Sequence, residues 1–377
     1  MDLQNRIRGC MIGGAAGDAL GYPVEFQYVS QIIAKYGLGG IEKYELDPKT
    51  GKALISDDTQ MSLFTANGLL NGLFRGICRG TMGYPHMYVL KSYGDWLRTQ
   101  RESYKPITEG LDAIGVNNSW LMDVPELYSQ RAPGNTCLSA LKHRDEYPVP
   151  DSDYVKARIN QSKGCGGIMR TAPVALLYGN KSSELTDMTA AQVAALTHGH
   201  PLGFLPSAVL NHILSQIVYG DDDRDLKSIV IESRDAVCEQ FAGMEYIDDL
   251  REIIDKAIEL SENDDNDLNN IHQIGQGWVA EETLAIAIYC SLKHEYDFSE
   301  GIIAAVNHNG DSDSTGAVTG NILGAINGFT GIEDKWKENL ELKDIILEMA
   351  DDLFGIHQIK GYNMDDKWIR RYELMRM

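Results

Sequence analysis

Hydrophobic side chains recur along this chain at mixed spacings of three and four residues, which is the repeat of one face of an α-helix. The pattern occurs in residues 61–74, 189–196, 205–218, 250–260, 281–293 and 342–354. No group of neighbouring segments alternates with the period of two that marks half-buried strands. Clusters of Gly, Pro, Asn and Asp separate the helical stretches. The sequence therefore predicts an all-α fold built from many helices.

The length of the chain raises the question of how many domains it forms. It has 377 residues, of which 43% are hydrophobic, and single cores tend to stop growing near ~250–300 residues. Length alone thus favours about two domains, but no linker or internal repeat separates two halves. We expect three loop insertions, near residues 36–52, 99–153 and 219–270, because these segments are rich in Gly and Lys, in Pro, and in acidic residues respectively.

The charge balance excludes several classes of partner. With 34 Lys and Arg against 55 Asp and Glu, the net charge is −21, which argues against binding nucleic acid or an anionic membrane surface. No apolar run approaches the ~20 residues of a membrane span. The apolar N-terminal stretch soon meets Asp18, so we interpret it as a first helix of the fold. The six cysteines are scattered without CxxC spacing, which favours a reduced, cytoplasmic protein.

Two acidic clusters each open a predicted helix: SDDT at residues 56–59 and DSDST at residues 311–315. One such cluster is typical of a helix cap. Two of them, from opposite ends of the chain, suggest four carboxylates that converge on a hard cation such as Mg²⁺ or Mn²⁺. The second cluster is not an EF-hand, because Ile322 stands where the loop needs a bidentate Glu. It also lacks the buried strand that precedes the nucleophile loop of haloacid-dehalogenase-type phosphatases.

Glycine-rich segments supply the other candidates. The segment GGAAGDALG at residues 13–21 lacks the Gly-Lys-Ser/Thr of a phosphate loop, so we interpret it as a closely packed helix that delivers Glu25 on the next loop. Glycines at positions 320, 324 and 328 give a second helix a bare face for another backbone to approach. The segment KGCGG at residues 163–167 is either an amide nest for a diphosphate or a simple turn. His198 is either a capping or core residue or part of a site.

Taken in order, these motifs resemble the ADP-ribosylglycohydrolase family, which includes the dinitrogenase reductase-activating glycohydrolases. The resemblance rests on GDALG with Glu25, SDDT, PGNT, KGCGGIMRTAP, LTHGH and NHNGDSDSTGAVTGNILGA, and runs from about residue 8 to about residue 330. It implies a single compact, orthogonal multi-helix domain over residues 1–377, in place of two domains. It also implies a binuclear centre of two divalent cations, Mg²⁺ or Mn²⁺, at the base of an ADP-ribose cleft.

The resemblance also implies roles for individual residues. The implied metal ligands are Ser56, Asp57, Asp58, Asp311, Asp313 and Ser314; Ser56 and Ser314 stand where many members have Thr, and both keep a hydroxyl oxygen. The implied catalytic residues are Glu25, Asp58 and Asp313. The implied substrate-binding residues are Asn135, Thr136, Gly164, Cys165, Gly166, Gly167 and His198.

The implied activity is metal-dependent hydrolysis of the glycosidic bond between ADP-ribose and a protein side chain, with N-linked arginine favoured over O-linked serine. The partner would be an ADP-ribosylated protein or another ADP-ribose conjugate. Three alternatives stay open: a serine-linked ADP-ribose hydrolase, a non-catalytic ADP-ribose binder related to the crystallin-like members, and a binuclear-metal phosphohydrolase acting on a nucleotide. The presence of all four aspartates and Glu25 favours an enzyme over a binder.

Overall fold

The protein is described here by a computed structural model that covers residues 1–105, 117–146, 149–359 and 365–373. These residues contain eighteen α-helices. In chain order they are α1 Leu3–Gly21, α2 Val29–Tyr36, α3 Asp57–Arg79, α4 Pro85–Thr99, α5 Asn135–Lys142, α6 Tyr154–Ala157, α7 Ala172–Tyr178, α8 Ser183–Ala195, α9 Pro201–Tyr219, α10 Leu226–Gln240, α11 Ile247–Ser261, α12 Asp267–Ile274, α13 Ala280–Lys293, α14 Phe298–Val306, α15 Ser312–Gly331, α16 Asp334–Lys337, α17 Lys343–Gly355 and α18 Asp366–Tyr372.

The described residues form no β-strand, and β pairing there is limited to three isolated bridges, Leu46–Ala53, Ala53–Leu340 and Gly164–Val279. The predicted all-α fold is thus confirmed. Short 3₁₀ turns complete the backbone at Trp120–Asp123, Pro125–Leu127, Arg144–Glu146, Pro150–Ser152, Cys165–Gly167 and Ile356–Gln358.

Helices α1 and α15 pack against each other through glycines on both. A Cβ atom on Gly13 would lie 2.2 Å from the carbonyl oxygen of Gly320, and one on Gly17 would lie 1.9 Å from that of Gly316. A Cβ on Gly9 would meet the oxygen of Gly324 at 2.1 Å, so the two helices run in opposite directions. Because real Cβ atoms do not approach backbone this closely, only glycine permits the contact. The bare face predicted for the second helix is confirmed, and its partner is the glycine-rich first helix.

This packing determines where the site lies. The C-terminal end of α1 reaches the N-terminal end of α15, since a Cβ on Gly21 would lie 2.2 Å from the carbonyl oxygen of Ser312. Asp18 of α1, fully buried, also accepts hydrogen bonds from the first turn of α3. Three helix ends from distant parts of the chain therefore meet at one place.

Helix α9 forms part of the core. It is long and apolar enough to cross a membrane, with a mean hydropathy of 1.2, but 89% of that window is buried inside the protein. No membrane span was predicted from the sequence, because its uninterrupted apolar runs are far shorter than ~20 residues. Burial on nearly all sides is what a central core helix shows.

The predicted insertions differ in structure. Residues 219–270 were predicted as a loop insertion apart from the helical stretch 250–260, and the loop assignment is wrong, because α10 and α11 lie within the segment and α12 begins there. Its acidic residues cover the solvent face of amphipathic helices whose buried face carries residues such as Leu250 and Ile254. Residues 37–52 form turns and a bridge, without a helix. Within 99–153 the chain forms 3₁₀ turns and α5, and residues 106–116 and 147–148 lie outside the described part.

Candidate active site

A cleft of about 300 Å³ opens where α1, α3 and α15 meet. One wall is acidic, and the opposite wall consists of glycine-rich loops and an imidazole. Most residues predicted from the sequence line it: Glu25, Asp57, Asp58, Asn135, Thr136, Gly164, Cys165, Gly166, His198, Asp311, Asp313 and Ser314.

The first acidic cluster is built by the N-terminus of α3. Ser56 is the N-cap, and its Oγ accepts a hydrogen bond from the backbone N–H of Asp58 at 3.2 Å. The backbone N–H of Asp57 donates to the carbonyl of Arg131 at 3.0 Å, which ties the cluster to the loop before α5. Ser56 is fully buried and does not line the cleft, whereas both aspartates do.

The second acidic cluster is built in the same way by the N-terminus of α15. Asp311 is the N-cap, and it accepts from the backbone N–H of Ser314 at 3.3 Å. Asp313 also accepts from that N–H, at 2.9 Å. The thiol of Cys165 donates to Oδ2 of Asp311 at 2.7 Å, so the glycine-rich loop contacts the acidic wall.

Glu25 lies beside the second cluster, in the cleft that both clusters line. It lies in the turn that follows α1, and its carboxylate oxygen lies within 4.8 Å of oxygens of both Asp311 and Asp313. Its Oε2 atom is buried and has no hydrogen-bond partner among the described residues, and the same holds for Oδ2 of Asp58. Unpaired buried oxygens are rare in folded proteins, because each one loses its hydration.

The carboxylates of the acidic wall have raised pKa values and lack neighbouring positive charges among the described residues. Burial, and then the charge of Asp313, raises the pKa of Asp57, Asp58 and Asp311 well above the usual range. Burial and the neighbouring aspartates raise the pKa of Glu25 to about 11. Within the described part of the chain, none of these carboxylates forms an ion pair with Lys or Arg. Such a set of hard oxygen donors fits divalent cations, whose charge would relieve the repulsion.

Asp18 supports the first cluster from beneath, and the sequence analysis did not assign it to the site. Both of its carboxylate oxygens accept from the backbone N–H of Ser56, at 3.0 and 3.1 Å. Its Oδ2 also accepts from the backbone N–H of Thr59 at 3.1 Å and from the Thr59 hydroxyl. A carboxylate that accepts this many bonds fixes the first turn of α3. The available signal was an acidic residue inside a glycine-rich helix, where a solvated surface position is not expected.

The opposite wall contains most of the predicted substrate-binding residues. The hydroxyl of Thr136 is 3.1 Å from that of Ser162, which links α5 to the glycine-rich loop. Gly167, however, does not line the cleft, so its predicted substrate contact is not supported. A Cβ there would lie 2.4 Å from the carbonyl of Gly203, and the residue is therefore glycine because α9 packs against it.

Two aromatic side chains border the cleft beside Glu25. Phe26 and Trp278 stack with ring centroids 5.2 Å apart and planes at 22°. Phe26 has a φ of 64°, an unusual value for a residue other than glycine. Neither ring was predicted, because the two positions lie 252 residues apart and no sequence pattern connects them.

The chain is similar to known proteins over most of its length. The sequence model of a family described as ADP-ribosylglycohydrolase matches residues 1–362. ADP-ribosyl-dinitrogen reductase glycohydrolase of Rhodospirillum rubrum is 24% identical over 351 residues, or 90% of this chain and 92% of that protein. ADP-ribosylarginine hydrolase Tri1 of Serratia proteamaculans is 23% identical over 93% of this chain and 79% of its own length. A solved structure described as an ADP-ribosylglycohydrolase-related protein complex shares the fold, with a TM-score of 0.61 and 23% identity over 94% of this chain and 99% of that one.

Proposed function

The chain belongs to the ADP-ribosylglycohydrolase family, and we propose that it hydrolyses the bond between ADP-ribose and an arginine side chain of a modified protein. Family membership and the names of its relatives make it a glycohydrolase that acts on ADP-ribose linkages. The observation that carries the finer proposal is that Glu25 and the aspartates of both acidic clusters line one cleft, with Glu25 beside Asp311 and Asp313.

We propose that the acidic wall holds two divalent cations, Mg²⁺ or Mn²⁺. The ligands would be the hydroxyls and carboxylates of the two helix N-termini: Ser56, Asp57, Asp58, Asp311, Asp313 and Ser314. Mutual repulsion of the carboxylates and the unpartnered Oδ2 of Asp58 support this assignment. When bound, such cations supply positive charge that orients ribose hydroxyls and makes a nearby water more acidic.

The chain's own residues then have to move one proton. In hydrolysis the C1–N bond of the distal ribose breaks through an oxocarbenium-like state, a water oxygen bonds to C1, and the leaving nitrogen gains a proton. Glu25 is placed to carry that proton at Oε2, which has no other partner in the described residues. Asp313 lies beside Glu25, and Asp58 lines the same cleft; their carboxylates would favour a cationic transition state. We propose that Asn135, Thr136, Gly164, Cys165, Gly166 and His198 contact the ADP-ribose along the other wall.

Arginine is favoured over serine as the linked residue for two reasons. Two relatives carry names that refer to dinitrogen reductase and to ADP-ribosylarginine. The acidic wall also suits a guanidinium leaving group, whose charge is delocalised over a planar cation. Because the same acids would face a serine linkage, the choice between the two needs a direct measurement.

The test compares matched peptides that carry ADP-ribose on arginine or on serine, with Mg²⁺ or Mn²⁺ and with excess EDTA on metal-stripped protein. We expect free, intact ADP-ribose, a higher kcat/KM on the arginine peptide, and loss of turnover with EDTA. A kcat/KM ratio that favours serine by about tenfold, or about 1.4 kcal/mol in transition-state binding, would contradict the choice of arginine. Full turnover in EDTA would contradict the metal centre.

The same assay separates the other candidates. Release of phosphate or a nucleoside monophosphate would identify a phosphohydrolase, and binding of ADP-ribose without any product would identify a non-catalytic binder. We further propose a protein partner, with no nucleic acid or membrane involved, because the net charge of −21 opposes both anionic surfaces. We also propose a cytoplasmic location, because the six cysteines are scattered and none has CxxC spacing.

A further inference from the structure

Arg170 is a fully buried cation without an acidic partner in the described part of the chain. Its Nη1 donates to the sulfur atoms of Met61 and Cys137, each at 3.3 Å, and its guanidinium lies 4.7 Å from the ring centroid of Tyr93. Its Nη2 donates to the hydroxyl of Thr197. A buried charge with only neutral partners is costly, so a position that keeps one invites a functional explanation.

The hydrogen bond from Arg170 to Thr197 influences the direction in which the Thr197 hydroxyl proton points. Arginine can only donate, so the Thr197 oxygen accepts from it and the hydroxyl proton remains available for another acceptor. Nδ1 of His198 lies 2.8 Å from that oxygen. The sulfur of Cys137 is a weak acceptor, and an imidazole nitrogen is a strong one. A Thr197 hydroxyl that donates to Nδ1 uses the stronger of the two acceptors, and Nδ1 then carries a lone pair.

His198 then has one place left for its own proton. Burial, and then the charge of Arg170, lowers the pKa of His198 to about 3, so the imidazole is neutral. With Nδ1 as an acceptor, a neutral imidazole carries its proton on Nε2. That side faces the cleft loop, since a Cβ on Gly164 or Gly166 would lie 3.4 or 3.3 Å from Nε2. Nε2 has no hydrogen-bond partner among the described residues.

We infer that Arg170 and Thr197 are positioning residues that hold His198 with its proton on Nε2, so that the wall opposite the acids presents a neutral donor to an oxygen of ADP-ribose. The identity of the ligand rests on the proposed function. The hydrogen-bonded series Arg170–Thr197–His198, called the relay below, rests on the contacts of these three side chains. The other tautomer would turn a lone pair toward the same oxygen, which is repulsive. The relay thus gives one wall a fixed donor while the acidic wall binds cations.

The first test measures the tautomer in the protein without ligand. Long-range ¹H–¹⁵N correlation spectra of the histidine side chains distinguish a protonated from an unprotonated ring nitrogen. We expect Nε2–H in the wild-type protein. Thr197→Val removes the donor to Nδ1 and should shift the tautomer populations, while Thr197→Ser should restore the wild-type spectrum. A wild-type His198 protonated on Nδ1 would overturn the inference without any variant.

The second test measures ADP-ribose affinity by calorimetry in the presence of Mg²⁺. We expect Thr197→Val to weaken binding about tenfold, or about 1.4 kcal/mol, and Thr197→Ser to bind as the wild type does. Arg170→Met, which keeps most of the side-chain volume, should also weaken ADP-ribose binding. The matched control is Thr186→Val in α8, because the Thr186 hydroxyl is equally buried but donates to the carbonyl of Tyr178 at 3.0 Å. It should change neither readout.

The outcomes separate the inference from the proposed function. Thr197→Val with wild-type tautomer and affinity would overturn the relay, even if ADP-ribose is hydrolysed. Failure of the wild-type protein to bind ADP-ribose, with Nε2–H present, would contradict the proposed ligand and support the relay. An effect of Thr186→Val equal to that of Thr197→Val would show general destabilisation, and the relay would be rejected.

Discussion

At the scale of single residues, Asp58 shows how function opposes stability. Its Oδ2 is buried without a partner and its neighbours carry the same charge. We predict that Asp58→Asn lowers turnover by more than about a hundredfold, since even indirect partners of metal ligands cost 10–100-fold. In metal-stripped protein the same change should raise the free energy of unfolding by about 1 kcal/mol, because one repelling charge is gone. Activity assays and chemical denaturation in EDTA measure the two effects.

The control for this prediction is Asp187→Asn, a change at an equally buried aspartate that pairs with His212 at 2.8 Å. Loss of that pair should destabilise the protein with and without metal. If Asp58→Asn destabilises the metal-free protein as Asp187→Asn does, the repulsion between the acidic clusters has been overestimated.

The acidic wall also predicts how stability depends on pH when metal is absent. Burial, and then Asp313, raises the pKa of Asp18 to about 7, and the pKa of Asp57, Asp58 and Asp311 is raised in the same direction. The unfolded chain releases these protons near pH 4, so the folded state binds more protons above that pH. Stability is therefore greatest below about pH 4 for these groups and falls as the pH rises toward 7. Melting temperatures in EDTA should decrease over that window, and Mg²⁺ should flatten the decrease.

Sequence patterns identified the residues of the acidic wall. They did not identify the residues that position other side chains of the site. Asp57 and Asp313 belong to short motifs whose carboxylates and hydroxyls indicate oxygen ligands for a cation. Asp18 and Arg170 also lie within motifs, yet their roles depend on which donors surround them in three dimensions. Gly167 shows the reverse case, because a glycine in a motif proved to be needed for packing against α9. Composition thus predicts chemistry better than it predicts contacts.

At the scale of elements, the contact of α1 with α15 sets the distance between the acidic clusters. A Cβ on Gly320 would lie 2.0 Å from the carbonyl oxygen of Gly13. We predict that Gly320→Ala lowers the free energy of unfolding by about 3 kcal/mol, because two backbones would have to separate. Divalent-metal affinity, measured by calorimetry on folded protein, should fall as well.

Gly76→Ala in α3 is the matched control for that prediction. Its nearest neighbour to a new Cβ is Cβ of Met82 at 3.4 Å, an ordinary contact. Alanine at a helical position is favoured over glycine by up to about 1 kcal/mol, so this variant should be unchanged or more stable. Equal losses in both variants would show that the glycines matter for flexibility and not for close approach.

Helices were predictable from the sequence where one helical face carries a clear row of apolar residues. They were difficult to predict where many acidic residues cover the solvent-exposed face. The periodicity identified α11 and α13 correctly. The segment 219–270 was predicted as a loop insertion because of its acidic residues, although the helical spacing of residues 250–260 already marked α11 within it. An acidic surface helix and an acidic loop share a composition and differ only in spacing.

At the scale of the whole molecule, the net charge of −21 should affect the encounter with substrate. Long-range attraction raises association rates of oppositely charged partners and is screened by salt. We predict that kcat/KM for a lysine-rich ADP-ribosylated peptide falls several-fold from low to high ionic strength, while kcat changes little. A peptide of the same length with acidic flanks should show the opposite salt dependence. Identical salt profiles would mean that the field around the cleft does not follow the net charge.

The pairing of α1 with α15 also bears on how the protein is made. A ribosome releases residues 3–21 long before residues 312–331, because the two segments lie far apart in the chain. Domains usually fold as units once their chain has emerged, and contacts between distant residues form late. Until residues 312–331 emerge, the glycine face of α1 therefore has no partner, and a nascent chain that ends before about residue 315 lacks one half of the cleft. A chain truncated there by a nonsense codon would be inactive and would expose a surface for chaperones or proteases to recognise.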